Sequence, residues 1–250
     1  MDITILLYVL VGFIAQVIDG ALGMAYGVSS NTFLLSVGIP PAAASASVHM
    51  AEVATTAVSG ISHWRLGNID WNLVKRLLIP GVIGGVAGAY LLTSIDGNII
   101  KPYISAYLLI MGIIILVKAF NQKERKGAGE YTARVSALGL VGGFFDSIGG
   151  GGWGPVVTTT LVARGKNPRL TIGSVNFSEF FVTLAESVTF ALTLSFSQYW
   201  QIILGLLIGG AIAAPLAARM TKLLPVKALM IMVGTLIIIL SIRTIYLSLA

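Results

Sequence analysis

The stretch DSIGGGGWGP, Asp146 to Pro155, holds five glycines and a proline inside otherwise apolar sequence. An interior Gly costs about 1 kcal/mol relative to Ala, and Pro removes a backbone hydrogen bond, so a helix cannot run smoothly through it. The flanks, ARVSALGLVGGFF before it and VVTTTLVA after it, are apolar enough for a bilayer. The glycines therefore put irregular backbone at membrane depth, which is tolerated only where it is buried in protein or lines a polar cavity. Freed N–H groups, inward helix ends and a bordering acid make this a candidate ligand site.

Composition sets the class. Mean hydropathy is +0.91, with 56% hydrophobic and only 10% charged residues, against roughly 25% charged in soluble domains. Several apolar runs are long enough to cross a bilayer, so the chain reads as an all-α polytopic membrane protein with little mass outside the membrane. No Cys is present, which excludes disulfide and thiol chemistry. The first apolar run lacks a basic n-region and a cleavage signal and reads as retained structure. The net charge of +6 is a property of loops and no sign of a nucleic-acid partner.

In chain order, helices are expected at 3–18 and 28–37, with a break at Asp19 to Gly27 between them. Spans follow near 42–62, 74–93 and 99–120. A soluble linker at 121–131 separates these from 132–145, the glycine stretch, 156–163, and spans near 170–195, 199–218 and 226–248. Shifted by 127 residues, residues 11–56 lie on 138–183 without a gap, and twelve of the 46 positions are identical. Asp19 falls on Asp146 and Glu52 on Glu179. Apolar composition alone would not put both pairs of rare acids in register, so the chain reads as a duplication, with repeats 1–120 and 132–250 in one membrane domain, 1–250.

Fourteen of the sixteen Lys and Arg lie in four stretches: Arg65 to Arg76, Lys118 to Arg134, Arg164 to Arg169, and Arg219 to Lys227. Positive loops stay cytoplasmic. The basic loops follow the second and fourth elements of the first half but the first and third of the second half. The halves are thus expected to insert upside down relative to each other, each as a Gly-broken re-entrant hairpin plus three transmembrane helices. Both termini then lie outside the cytoplasm. Inverted repeats with broken helices at the midplane are transporter architecture. The plainer alternative is close packing by small residues, which suits Gly81, Gly84, Gly85, Gly88, Gly205, Gly209 and Gly210.

Four segments together carry a family resemblance: GFFDSIGGGGWGPVVTTTL (Gly143–Leu161), GFIAQVIDGALGMAYGVSSNTFL (Gly12–Leu34), SHWRLGNIDW (Ser62–Trp71) and LIPGVIGGVAGAYL (Leu78–Leu91). They resemble the sulfite exporter TauE/SafE family of anion transporters, over nearly the whole chain. The resemblance implies passage of sulfite, an organosulfonate or another small anion across the cytoplasmic (inner) membrane. The first copy departs from the glycine pattern, with Met24, Ala25 and Val28 where the second has Gly151, Gly152 and Pro155.

Half-helix N-termini near Gly150 to Gly154 and near Gly23 to Gly27 would aim N–H groups at an anion. Gly23, Met24, Tyr26, Gly27, Asn31, His49, Gly150, Gly151, Gly152, Trp153, Gly154 and Asn176 are the expected substrate-binding residues. Tyr26 and Trp153 occupy equivalent positions and could wall a cavity while giving one donor each, or anchor at the interface. A polar stripe, Asn176, Glu179, Thr183 and Glu186, matches His49, Glu52, Thr56 and Ser59 at identical +3, +4, +3 spacing. Each stripe lies on one helix face and should face the bundle interior. Asp19, Glu52, Asp146, Glu179 and Glu186 are the candidate coupling groups. Desolvation favours the neutral acid, and a protonated Glu could donate to an anion and move a proton with it. Otherwise the acids would hold Na⁺ or a cationic cargo. His49, Glu52 and Met24 would suit a divalent metal only weakly, and no metal site or cofactor is assigned. The expected partners are a small anion, H⁺ or Na⁺, and the bilayer; a homodimer is left open. The reading is a proton- or Na⁺-coupled transporter, with a metal-cation permease or a non-transporting structural protein as alternatives. GGGGWG lacks the Lys and Ser/Thr of a phosphate loop, and no nucleophile–base pair appears, so no enzyme is expected.

Overall fold

A computed structural model describes residues 3–22, 24–121, 133–164, 166–220 and 226–249, and every regular element among them is helical. In the first half these are α1 (Ile3–Leu22), α2 (Tyr26–Ser36), α3 (Pro41–Arg65), α4 (Trp71–Ser94) and α5 (Gly97–Phe120). In the second half α6 (Ala133–Gly149) precedes the glycine break. A π-helical turn, Gly154–Thr158, then runs straight into the short α7 (Thr159–Ala163). The remaining helices are α8 (Pro168–Thr193), α9 (Trp200–Met220) and α10 (Val226–Leu249). A helix is found at each expected position and an interruption near each expected break, with boundaries moved by a few residues. The expected linker lies, from Gln122 on, outside the described residues.

Local chemistry sets the ends. Pro41 and Pro168 open α3 and α8, where the missing N–H costs nothing and the fixed φ is already helical. The Asp70 carboxylate accepts from Asn72 N at 2.9 Å and Leu73 N at 3.3 Å to start α4. Asp96 accepts from Asn98 N at 2.8 Å to start α5. These satisfy N–H groups that a helix leaves without internal partners.

Packing brings α1 against α9 and α4 against α6, pairs α5 with α10, and lays α3 along α8 at the centre. α4 also packs on α8, and α3 on α9. Glycines permit the closest of these approaches. A Cβ at Gly84 would collide with the Leu140 carbonyl of α6, and one at Gly209 with the Val9 carbonyl of α1. Gly81 and Gly85 serve the same close packing, since a Cβ on Gly143 of α6 would collide with Gly81 O and meet Gly85 N at 3.0 Å. Gly85 faces the Glu186 carboxyl group, and Gly81 faces the Trp153 ring.

Six full spans were expected. Among the described residues three helical stretches are long and apolar enough to cross a membrane: Trp71–Ser94, Gly97–Phe120 and Met230–Leu249. α3 and α8 have 25 and 26 residues, ample length for a crossing, but are too polar to qualify. A helix enclosed by others does not need a lipid-compatible surface, and these two carry the polar stripes.

Candidate functional site

The two breaks cross backbone to backbone. A Cβ built on Gly151 would collide with the Gly27 backbone and Val28 N, and one on Gly27 would stand 2.6 Å from Gly150 O and Gly151 Cα. Gly150 and Gly151 have φ of +64° and +137°, a conformation that only Gly adopts readily. Ala25, in the other break, is the one non-glycine at positive φ among the described residues, at 95°.

Each break is tied by its aspartate in the same way. Tyr26 N donates to Asp19 Oδ1 at 3.3 Å, and the equivalent Trp153 N donates to Asp146 Oδ1 at 2.8 Å. Gly152 N adds a bond of 2.5 Å to the same Asp146 oxygen. N–H groups expected to be free for an anion are thus held by carboxylates of the chain itself.

Beside the crossing lies a cavity of about 270 Å³. Its wall includes Met24, Tyr26, Gly27, Gly151, Gly152, Gly154 and Asn176 from the expected binding set, and Asp19, Glu52, Asp146 and Glu179 from the expected coupling set. Thr56 and Ser59 line it as well, so one face of α3 meets one face of α8 there.

The other expected residues lie elsewhere. Asn31 donates from Nδ2 to the Gly149 carbonyl at 2.6 Å and holds the break in place. Gly150 sits against the Asn31 side chain. Trp153 is fully buried among Leu73, Leu77, Val135, Val157, Leu161, Val175 and Val182, with Nε1 donating to the Val175 carbonyl at 3.2 Å. It neither walls the cavity nor anchors at an interface. Tyr26 does line the cavity, but its hydroxyl donates to the Leu206 carbonyl at 3.1 Å. His49 and Glu186 lie beyond the cavity wall, paired with each other. Gly23 lies outside the described residues.

Gln16, Thr55 and His63 also line the cavity, and sequence reasoning missed them. His63 was within reach, because 49, 52, 56, 59 and 63 continue one helical face by a further +4 step. Its protonation follows from its neighbours. Arg169 Nε must donate, and it meets Asn68 Oδ1 at 2.5 Å. This turns Asn68 Nδ2 towards His63 Nδ1, 3.3 Å away. Nδ1 therefore accepts, and in a neutral ring Nε2 carries the hydrogen. His63 presents an N–H donor in a wall otherwise rich in acids.

A helical bundle with membrane-grade helices, two interrupted elements crossing at the centre and a polar cavity beside them has the form of a membrane transporter. Comparison with known proteins agrees. The family model of the sulfite exporter TauE/SafE family matches residues 8–244, and the chain belongs to that family. It is 42% identical over 246 residues to the probable membrane transporter protein YtnM of Bacillus subtilis, covering 96% of this chain and 82% of that one. It is 25% identical over 228 residues to the probable membrane transporter protein YdhB of the same organism, covering 88% of each. A probable membrane transporter protein of Haemophilus influenzae is 26% identical over 213 residues, 84% of this chain and 82% of its own. No solved structure matches the chain.

Proposed function

We propose that the chain carries a small sulfur-bearing oxyanion, such as sulfite or an organosulfonate, across the cytoplasmic membrane by alternating access, coupled to H⁺ or Na⁺. The observation that carries this reading is the cavity that both glycine breaks and the faces of α3 and α8 build together. The family's own description supports the sulfur oxyanion. His63 supplies an N–H for the anion, and Gln16, Ser59 and the second amide hydrogen of Asn176 offer further neutral donors. Glu52 and Glu179, equivalent under the 127-residue shift, are the coupling pair.

The duplication on which the inverted-repeat reading rests is supported by the packing. Exchanging α1–α5 with α6–α10 turns the α1–α9 pair into α6–α4 and the α4–α8 pair into α9–α3, and leaves α3–α8 and α5–α10 as they are. The cavity is one-sided under that exchange. Asn176 and Ser59 are partly exposed along it, whereas their counterparts His49 and Glu186 are fully buried. The lining residues Ser59, His63, Ile172 and Asn176 lie towards the ends of α3 and α8 that carry Arg65 and Arg169, and a basic end is expected to be cytoplasmic. The structure would then represent an inward-facing state, and the outward-facing state would arise when the halves exchange conformations.

One observation favours a second reading, a cation permease: among the described residues four acids and no Lys or Arg line the cavity. Flux into proteoliposomes separates the two. Saturable uptake of ³⁵S-sulfite or a labelled organosulfonate, driven by a pH or Na⁺ gradient, is the expected result. Uptake of divalent metal without sulfur-anion uptake would replace the anion reading with the cation one.

A further inference from the structure

We propose that His49, Asp146 and Glu186 form a binding site for one divalent cation of the first transition row. The three come from α3, α6 and α8. His49 Nε2 stands 2.9 Å from Glu186 Oε2 and 3.7 Å from Asp146 Oδ2. One ligand atom from each lies within 4.8 Å of the other two. Around an ion with bonds of about 2.0–2.2 Å, nitrogen and oxygen ligands stand roughly 3–4 Å apart.

The cluster is dry. His49 and Glu186 are 0% exposed and Asp146 is 2% exposed. His49 Nε2 meets Glu186 Oε2, but Asp146 Oδ2 and Glu186 Oε1 have no hydrogen bond among the described residues. Two buried carboxylate oxygens without hydrogen bonds beside a single imidazole are costly unless something occupies the space between them.

The histidine tautomer says what that something is. His49 Nδ1 lies 2.7 Å from the Ser45 carbonyl, which can only accept. The Ser45 hydroxyl is itself engaged as a donor to the Ser147 carbonyl. Nδ1 therefore carries one ring hydrogen, and giving up the other leaves Nε2 with a lone pair between two carboxylates for an ion to take. This is the arrangement of a metal-binding imidazole oriented by a backbone carbonyl. Charge agrees, since two carboxylates and a neutral imidazole need two positive charges, and among the described residues neither acid forms an ion pair with Lys or Arg. An imidazole ligand also discriminates against Na⁺ and Mg²⁺, which prefer oxygen. Gly85 makes room for the glutamate, because a Cβ there would stand 2.8 Å from Glu186 Cγ.

Of the three ligands only Asp146 touches the cavity wall, with His49 and Glu186 behind it, so the ion would be a resident one set behind that wall. It would tie α3, α6 and α8 together on the side away from Arg65 and Arg169, through Asp146, whose other oxygen holds the glycine break. The inference goes beyond the transport reading and holds whichever ion is carried.

The test uses the full chain purified in detergent, stripped with a chelator and reloaded with Co²⁺ or Zn²⁺. A single Co²⁺ per chain with visible absorption is expected. His49→Gln and Glu186→Gln should each weaken binding by more than the roughly 10–100-fold that losing an outer-shell partner costs. Glu179→Gln, outside the cluster, should keep the metal. Zn²⁺ should raise the unfolding temperature of the unmodified protein and not that of Glu186→Gln. Absence of stoichiometric metal in the unmodified protein overturns the proposal, as does full occupancy in folded Glu186→Gln. An unfolding temperature that responds to pH and not to Zn²⁺ also overturns it, leaving the cluster to protons alone.

Discussion

The fine balance of the site lies in single residues, and the aspartates show it best. Asp146 accepts two backbone N–H bonds where Asp19 accepts one longer bond, so the second break is the more tightly held. A buried N–H left without a partner costs about 1–3 kcal/mol. Asp146→Ala should therefore lower the unfolding temperature clearly more than Asp19→Ala, and equal losses would remove the capping role. Ala25 carries strain in the opposite sense. A left-handed Ala costs about 1–2 kcal/mol, and Gly there relieves it at an entropic cost of about 0.5–1 kcal/mol. Ala25→Gly should leave thermal stability unchanged or slightly raised, whereas a marked loss would mean that the Cβ contact matters more than the strain. Gly151→Ala meets the Gly27 and Val28 backbone directly, so folded yield and ligand binding should fall together. His63→Phe is the cleaner probe of anion contact: it removes the Nε2 donor from a partly exposed wall and should raise the substrate concentration for half-maximal uptake while folded yield is kept.

At the level of elements, α3 and α8 carry the account. Each starts at a proline and each places a glutamate on the shared cavity wall. Glu179→Gln keeps size and hydrogen bonding but cannot exchange a proton, so it should retain ligand binding and lose dependence on the driving gradient. Full gradient-driven uptake in the Glu52→Gln, Glu179→Gln double variant would rule the pair out. Much of this was legible in the sequence, because breaks, spans and stripes are local features that a period of 3.6 or a run of glycines announces. The acids in register even showed which helices would meet. Partner choice between side chains was not legible. Nothing in the spacing says that Trp153 turns away into an apolar cluster, that Asn31 reaches the Gly149 carbonyl, or that His49 leaves the cavity for Glu186. Those outcomes depend on helix rotation and depth, which three-dimensional packing sets.

On the scale of the whole molecule, the absence of Cys allows any introduced thiol to report its own accessibility. In intact cells a Cys at Ser197 should react with an impermeant reagent, and one at Lys166 should not. The reverse would invert the orientation read from the basic loops. The central claim, that one cavity between α3 and α8 opens alternately to either side, is tested most directly by a symmetry-related pair. Thr56 lines the cavity, and its counterpart Thr183 is fully buried. Either changes to Cys with little change in size. At rest Thr56→Cys should be labelled from the cytoplasmic side and Thr183→Cys from neither. When substrate is supplied from outside under a driving gradient, Thr56→Cys should become protected and Thr183→Cys should become reactive from outside. Labelling of both from the same side, or an unchanged pattern while the protein transports, would contradict the account.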